Sequence, residues 1–328
     1  MLVCSDAATL EVKAPSTPKY DTISDALRDA QSGDTIIVYP GIYKEKLNIT
    51  TNSITLQGTA YPSTNPADNV ALIDFPTYRT DDVSKDDSGS SLPLLCIPLI
   101  PGTNPPSQAT VLVTGNNFKA YNLNITNSAI GASELMAVAV SSRGNSNGFY
   151  SCGIVSTQGT FYAHKGSTFI SRCYIEGTLD FVFGRKGNAW FQGCTLAAMR
   201  PQGSITSQGR TDPADDGYLV FDKAKIVVGK NAVRGTKGTV FLGRSWGDYA
   251  RVVFQNSDLG NVITTAGWQV YTAAQVTKNI LFGEYGNINS GGVRVSWAKT
   301  LTSATDISSI LPGYRDWVDS SFTGTSAI

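Results

Sequence analysis

The sequence predicts an all-β fold, a right-handed parallel β-helix in which the chain winds through stacked coils. The first observation is a repeat, because Cys152, Cys173 and Cys194 follow one another at intervals of 21 residues. The second is that neighbouring apolar residues keep this interval in two triplets: Phe149, Ile170 and Phe191, and Ile154, Ile175 and Leu196. A jelly roll or sandwich would also give many short strands, but it offers no reason for a cysteine ladder at constant interval.

Short strands are predicted within each coil, because runs rich in aromatic and β-branched residues are bounded by glycine or polar turns. In the repeat these runs span residues 148–155, 168–175 and 189–196, and further runs span 118–126, 218–227 and 251–259. The looser spacing of the second set implies longer turns rather than a second fold. The chain has 328 residues, of which 41% are hydrophobic, and can bury a large core. We therefore expect a single domain over residues 1–328.

A short capping helix is predicted near the N-terminus, over about residues 22–32, where the apolar residues follow a helical period. Thr22 and Asp25 are suited to a capping box, and Gly33 is suited to a stop. The solenoid would follow over about residues 34–300, with a C-terminal tail packing on it. Such a helix would cover the strand edges that are otherwise exposed at the end of a solenoid.

Composition and charge exclude several classes of function. The chain carries 26 Lys and Arg residues against 26 Asp and Glu residues, so no net field favours nucleic acid or an anionic membrane surface. No run approaches the roughly 18 apolar residues that cross a bilayer. The first ten residues lack the basic start and apolar stretch of a secretion signal. We expect either an intracellular protein or a secreted one whose signal has been removed.

The five cysteines, Cys4, Cys96 and the three of the ladder, indicate packing rather than metal binding. They show no CxxC spacing of the kind that binds zinc, so no metal is expected. Neighbouring coils of a β-helix lie about 4.8 Å apart, within the Cα range that permits a disulfide. Two interpretations of the ladder therefore stand side by side. It is either a disulfide between neighbouring coils or a buried ladder of free thiols, which behave as small apolar groups.

One aspartate and one arginine carry the strongest chemical signal. Asp180 lies in the run GTLDFVFG over residues 177–184, and a buried carboxylate without a partner is costly. Arg244, in the run FLGRSW over residues 241–246, could hold that carboxylate ionised. Trp246 beside it offers an aromatic face for a sugar ring. Taken alone, an Asp and an Arg in two strand segments are more often a structural ion pair than a catalytic one.

The order of several short motifs resembles that of the pectin methylesterases, in the style of the fungal members. The motifs are GIYKE at 41–45, QGTFY at 158–162, GTLDFVFG at 177–184, SQGRTDP at 207–213 and LGRSW at 242–246. The family writes its nucleophile motif as G-[TA]-[VL]-D-F-[IV]-F-G and its arginine motif as L-G-R-P-W. The resemblance runs from about residue 20 to about residue 319. It implies a pectin-lyase-like β-helix with carbohydrate esterase activity.

The resemblance also implies a role for each matching residue. Asp180 would attack the methyl-ester carbonyl of a galacturonate unit, Arg244 would keep it ionised and aimed, and Gln158 would donate to the oxyanion. A second aspartate of the family protonates the departing methanol and then activates water. No metal and no organic cofactor is implied. Substrate contacts are implied for five aromatic residues: Trp246, Phe161, Tyr43, Trp268 and Tyr271.

The chain departs from the family pattern at the acid–base position. The family writes its second aspartate within Q-D-T, 21 residues before the nucleophile, and here that residue is Gly159. We expect Gly159 to leave a gap beside Asp180. Met136 stands where the family usually has an oxyanion glutamine. Losing a general acid costs a factor of about 10² to 10⁴, and losing an oxyanion donor a factor of about 10² to 10³. The lone histidine, His164, is more often a turn or surface residue than a substitute acid.

Two functions from different classes follow from these motifs. The first is hydrolysis of the methyl esters of homogalacturonan, pectin and water giving pectate and methanol, with turnover impaired at Gly159. The second is a non-catalytic homologue that binds pectin, or a pectinase-inhibiting protein that uses the same cleft. The expected partners are pectin and a pectinesterase-inhibitor protein, without nucleic acid or membrane. A secreted, extracellular monomer is expected from the resemblance.

Overall fold

The computed structural model describes residues 7–16, 18–78, 109–129 and 136–324. Within these residues every strand pairing is parallel, and the strands form one sheet system of 17 strands and a second sheet of seven. Cys4 and Cys96 lie outside the described residues. No helix in the described part of the chain is long and apolar enough to cross a membrane. The predicted parallel β-helix is confirmed.

The larger sheet system contains 17 strands. Its strands are β1 Thr9–Val12, β2 Thr35–Val38, β4 Leu47–Ile49, β5 Thr55–Gly58, β7 Ala109–Val113, β8 Lys119–Tyr121, β10 Val138–Ser142, β11 Asn147–Tyr150, β13 Phe161–Ser171, β15 Val182–Gln192, β17 Ser204–Gln208, β18 Tyr218–Asp222, β20 Phe241–Ser245, β21 Arg251–Gln255, β22 Trp268–Val270, β23 Leu281–Tyr285 and β24 Lys299–Thr300.

The smaller sheet and the helices complete the coils. Its strands are β3 Gly41–Tyr43, β6 Ala71–Asp74, β9 Asn124–Thr126, β12 Gly153–Val155, β14 Tyr174–Gly177, β16 Thr195–Ala198 and β19 Lys225–Val228. The α-helices are α1 Ile23–Asp29 and α2 Ile307–Ile310, and short 3₁₀ helices span Pro66–Asp68, Tyr314–Asp316 and Ser320–Phe322.

The 21-residue repeat in the sequence matches the register of strand pairing between successive coils. On one side of each coil, Phe149 pairs with Ile170, which pairs with Phe191. Beyond the bend, the triplet of Ile154, Ile175 and Leu196 is likewise in register. The equivalence of the predicted coils is therefore confirmed.

Each strand predicted in the repeat is in fact two strands separated by a bend. The run 148–155 divides into β11 and β12, and the bend residue Ser151 has φ of 49°. Arg172 and Gly193 occupy the same bend in the next two coils, with φ of 53° and 58°. A left-handed residue turns the chain from one sheet to the next, and this change of direction is invisible to an alternating pattern.

The cysteine ladder is a stack of free, fully buried thiols, one residue beyond these bends. The backbone N–H of Cys152 donates to Sγ of Cys173 over 3.3 Å, and Sγ of Cys173 donates to the Ser171 carbonyl over 3.4 Å. Burial raises the pKa of the Cys173 thiol well above its usual range. The prediction of three cysteines on successive coils is confirmed, and the disulfide alternative is wrong.

Aromatic side chains form a column along the interior of the solenoid. The rings of Phe191 and Phe221 stack with centroids 4.4 Å apart, and those of Phe221 and Phe254 stack 4.3 Å apart. Phe161 contacts Phe191 on one side of this stack, and Trp268 contacts Phe254 on the other. Ring contacts of this kind stabilise the interior by about 0.5–1.5 kcal/mol each beyond the buried area.

The N-terminal helix α1 begins with the predicted cap. The side-chain oxygen of Thr22 accepts from the N–H of Asp25 over 3.1 Å, and the N–H groups of Ile23 and Ser24 donate to the Glu45 carboxylate. The helix ends at Asp29, three residues earlier than predicted, because Ala30 is extended. Glu45, the last residue of the GIYKE motif, therefore has a capping contact. That α1 covers the end of the solenoid stays a prediction.

The C-terminal segment lies against the outer face of the larger sheet system. Leu311 and Phe322 pack with a row of apolar side chains that includes Tyr150 and Trp190. The Oη of Tyr150 accepts from the N–H of Asp319 over 3.1 Å. These contacts bury a second apolar cluster outside the solenoid. A single domain over the whole chain stays a prediction.

We expect alkylation to distinguish the two states of the cysteine ladder in solution. Without reductant, Cys152, Cys173 and Cys194 should resist iodoacetamide in the native protein, since all three are buried. After unfolding, still without reductant, peptide mass spectrometry should find all three alkylated. An unlabelled pair that reacts only after reduction would mean that two of these thiols form a disulfide.

Candidate active site

Asp180 and Gly159 occupy the same turn in successive coils. Asp180 lies between β14 and β15 and has φ of 49°, and Gly159 lies before β13 with φ of 73°. The register is direct, since Gln158 pairs with Leu179 and the N–H of Gly159 donates to the Leu179 carbonyl. A left-handed conformation is uncommon for residues other than glycine, although aspartate adopts it more readily than most. Asp180 therefore takes, in its coil, the left-handed turn position that Gly159 takes in the preceding coil.

A row of outward-facing residues runs beside this turn, one from each strand. Phe183 of β15 pairs with Ser207 of β17, and Ser207 pairs with Arg244 of β20. The residues one position earlier in these strands, Val182 and Thr206, are fully buried. Side chains alternate between the two faces of a strand, so the row faces outward while its neighbours face the core.

Asp180 and Arg244 form a two-pronged ion pair. Nε of Arg244 donates to Oδ1 of Asp180 over 2.9 Å, and Nη2 donates to Oδ2 over 2.5 Å. Asp180 is only 7% exposed. Parallel hydrogen bonds of this kind fix direction as well as charge, which holds the carboxylate in a single orientation.

Burial and charge act on Asp180 in opposite directions. Burial raises the pKa of its carboxyl above the usual range, and the Arg244 guanidinium opposes that rise. Burial would also lower the pKa of Arg244, but the Asp180 carboxylate outweighs it and the pKa of Arg244 is raised. The Arg244 guanidinium further lies over the Tyr271 ring, 4.6 Å from its centroid. Arg244 is thus the group that favours the ionised carboxylate.

The ion pair lies in a pocket on the outer face of the solenoid. Its lining consists of Met136, Gln158, Asp180, Phe183, Ser207, Arg244, Trp246 and Tyr271. The structure therefore brings together four predicted catalytic or binding residues, namely Asp180, Arg244, Gln158 and Trp246, and Tyr271 with them. Phe183 and Ser207 were missed, although Phe183 belongs to the GTLDFVFG motif and follows the buried Val182 by one position.

The predicted gap at Gly159 is absent. A Cβ atom at this position would lie 2.8 Å from Cε of Met136 and 3.2 Å from Cε1 of Phe183. Met136 reaches this space because it pairs with Gln158, one coil away. The prediction is wrong because a flexible thioether side chain from the preceding coil fills the volume next to Gly159.

Three residues predicted to contact substrate are part of the interior. Phe161 and Trp268 face inward, 0% and 1% exposed, and both belong to the aromatic column. Tyr43 is also buried, and its hydroxyl donates to the Tyr39 carbonyl over 2.7 Å. These predictions are wrong, because strand alternation turns the side chains toward the core.

The only histidine does not line the pocket. His164 is buried, and its ring lies 4.5 Å from that of Tyr162. Tyr162 in turn stacks on Phe183, with centroids 4.2 Å apart. His164 is therefore a buried strand residue rather than a turn or surface residue, and it is not among the residues that line the pocket of Asp180.

Comparison with known proteins agrees with the fold and the motifs. The family model described as Pectinesterase matches residues 99–310. A pectinesterase of Aspergillus aculeatus is 34% identical over 324 residues, covering 95% of this chain and 91% of that protein. The crystal structure of the pectin methylesterase from Aspergillus niger is similar with a TM-score of 0.81 at 29% identity, covering 97% of this chain and 98% of that one. Carrot pectin methylesterase gives a TM-score of 0.76 at 25% identity, covering 97% and 96%.

A parallel β-helix with these relatives defines a carboxylic-ester hydrolase of the pectinesterase type. The chain belongs to the pectinesterase family, as its motifs predict.

Removing Arg244 should destabilise the fold in a pH-dependent way. Arg244→Ala leaves a buried carboxylate without its cation, and we expect a loss of about 3–5 kcal/mol in the free energy of unfolding at neutral pH. The loss should shrink as the pH falls through the raised pKa of Asp180, because protonation removes the uncompensated charge. Urea unfolding across a pH series measures it.

The matched control is Arg294→Ala, which breaks a second two-pronged pair of similar exposure, that of Arg294 with Glu284. This variant should also lose stability, but it should leave the pKa of Asp180 unchanged. An Asp180 pKa that is the same in Arg244→Ala and in the native protein, read by carboxyl ¹³C NMR, would contradict the assigned role of Arg244.

Proposed function

We propose that this chain hydrolyses the methyl esters of homogalacturonan, with Asp180 as the nucleophile. The observation that carries the proposal is the two-pronged ion pair between Asp180 and Arg244 in an outward pocket. A buried carboxylate in a left-handed turn, aimed by a guanidinium and open to one side, is suited to attack a carbonyl carbon. Trp246 supplies an aromatic wall for the sugar ring.

The reaction would proceed in two steps. An Asp180 oxygen attacks the ester carbonyl carbon, and the charge that develops on the carbonyl oxygen needs a hydrogen-bond donor, for which Gln158 is the candidate. The methoxy group leaves as methanol after taking a proton, and an anhydride joins Asp180 to the galacturonate. Water then attacks the anhydride, which releases the free acid and restores the Asp180 carboxylate.

The first step is the one that this pocket supports poorly. Methoxide is a poor leaving group unless it is protonated, and no carboxyl group stands at residue 159. Water can supply the proton, but it is a weaker acid than a carboxylic acid near the working pH. Methanol departure should therefore be slow, by a factor of about 10² to 10⁴.

The Met136–Gly159 contact favours a second candidate function, that of a pectin-binding homologue with little turnover. An apolar thioether lies next to the position where the family places a carboxylate. The pocket therefore differs from the family pattern by more than the loss of one carboxyl group. A pectinase-inhibiting role through the same cleft belongs to this class. The two candidates differ in whether methanol is released.

The proposal also covers the location of the protein and its binding partners. The substrate would be pectin in the extracellular space, so a secreted protein is proposed, acting as a monomer. Pectin methylesterase from other sources has been crystallised with a hexasaccharide, and this likeness, at 21% identity, concerns the fold alone. A tomato relative carries the name pectinesterase/pectinesterase inhibitor, which supports proposing an inhibitor protein as a further partner.

Restoring the missing groups should raise turnover. Gly159→Asp alone must displace the Met136 methyl, so the double variant Gly159→Asp/Met136→Gln should be the faster, about 10- to 1000-fold above the native protein. The measurement is methanol release from methylated pectin. Asp180→Ala serves as the blank, and Arg294→Ala reports on an ion pair that does not line the pocket.

Three results would count against the proposal. Methanol release that survives in Asp180→Ala would mean that Asp180 is not the nucleophile. A native protein as fast as the double variant would mean that another group already supplies the proton. A double variant without methanol release, although folded by circular dichroism, would favour the binding function.

A further inference from the structure

Met136 and Gly159 form a matched steric pair. Any side chain at residue 159 would begin with a Cβ atom 2.8 Å from Cε of Met136, closer than carbon atoms pack. The end of the thioether side chain therefore occupies space that a side chain at residue 159 would need. The two positions are coupled across neighbouring coils, since Met136 pairs with Gln158.

The pair gives the pocket a continuous apolar wall. Met136 and Tyr271 pack against a buried cluster that contains Phe183 and Trp246. Contacts between a thioether and aromatic rings are favourable and adapt to irregular shapes. The Asp180–Arg244 pair lines the same pocket, with the Arg244 guanidinium over the Tyr271 ring. The pocket thus has an apolar side and an ion-paired side, which meet at Tyr271.

These two sides treat a methyl ester and a free carboxylate differently. A galacturonate carboxylate that entered the pocket would meet the Asp180 carboxylate, and the Nε and Nη2 groups of Arg244 already donate to Asp180. A methyl ester carries no charge, and its methyl group can be buried against the apolar wall. Like charges at short range in a buried site are costly, whereas burial of a methyl group is favourable.

We infer that Met136 is a specificity-determining residue that binds the ester methyl group, so that the pocket retains methyl-esterified homogalacturonan and discriminates against the de-esterified polymer. This inference rests on the proposed function to the extent that the ester enters the pocket of Asp180. It does not depend on turnover, since a binding protein without catalysis would select the same ligand.

The test measures the contribution of Met136 to binding separately from the charge of Asp180 and from turnover. Asp180→Asn, used as the common background, removes the carboxylate charge and stops turnover. Affinities for a methyl-esterified hexagalacturonide and for the same oligosaccharide after saponification are measured by isothermal titration calorimetry. Two further changes are compared in that background: Met136→Gln, which makes the wall polar, and Met136→Leu, which keeps it apolar.

Met136→Gln should weaken binding of the esterified ligand by about 4- to 10-fold, the range expected when one methyl group loses an apolar contact. Binding of the saponified ligand should change by less than about twofold, because it has no methyl group to lose. Met136→Leu should retain the affinity for both ligands within about twofold. Thermal melting of each variant confirms that the fold is intact.

Two outcomes would overturn the inference. Equal weakening of both ligands by Met136→Gln would mean that Met136 contacts the sugar or supports the fold rather than the ester methyl. If Met136→Leu weakened binding of the esterified ligand as much as Met136→Gln does, the apolar character of residue 136 would not explain the binding. Failure of the proposed function is separate, because it is read from methanol release in the native protein and in Asp180→Ala.

Discussion

In-register parallel pairing between successive coils is the constraint on which the site depends. It places Gly159 and Asp180 in the same turn of neighbouring coils and sets Phe183 beside Ser207 and Arg244 on the outer face. A slip of one residue in β15 would turn Phe183 toward the core and expose Val182. The buried interior supports this register, because apolar side chains of successive coils pack into one core that includes the stacked rings of the aromatic column.

Within that frame the pocket combines an ion pair with an apolar wall. Asp180, the proposed nucleophile, accepts three hydrogen bonds from Nε and Nη2 of Arg244. The side of the pocket at residue 159 is apolar, because Met136 lies next to Gly159 and Phe183. Electrostatic stabilisation is usually the largest part of catalysis. An apolar side chain beside residue 159 should therefore lower the rate of ester hydrolysis more than the loss of the carboxyl group alone. The same wall is well suited to hold a methyl group.

The sequence predicted the repeat and the cysteine ladder, because each depends on residues at a fixed interval. It predicted the pairing of Asp180 with Arg244 because both residues lie in motifs of the family that the sequence resembles. It did not predict the bends at Ser151 and Arg172, since a left-handed residue leaves no trace in an alternating pattern. Phe161 and Trp268 were assigned to the substrate although they face inward, because a motif identifies a residue without giving its face.

The sequence placed Met136 at the site but did not predict that its side chain lies against Gly159. Met136 and its partner Gln158 are 22 residues apart rather than 21, so the repeat does not place them in one row. Only coordinates show that a side chain from this coil reaches the turn of the next. The glycine at residue 159 shows in the sequence that a carboxylate is missing. Which side chain fills the space beside it became clear only from the structure.

Methyl NMR tests the central claim most directly, since the chain contains three methionines, Met1, Met136 and Met199. With ¹³C-labelled methionine methyl groups, the account predicts a nuclear Overhauser effect between the Met136 methyl and the Phe183 ring. A second such effect should appear to the methoxy protons of an added methyl-esterified oligogalacturonide. A Met136 methyl that shows neither contact, and whose signal is unchanged in Gly159→Asp, would contradict the account.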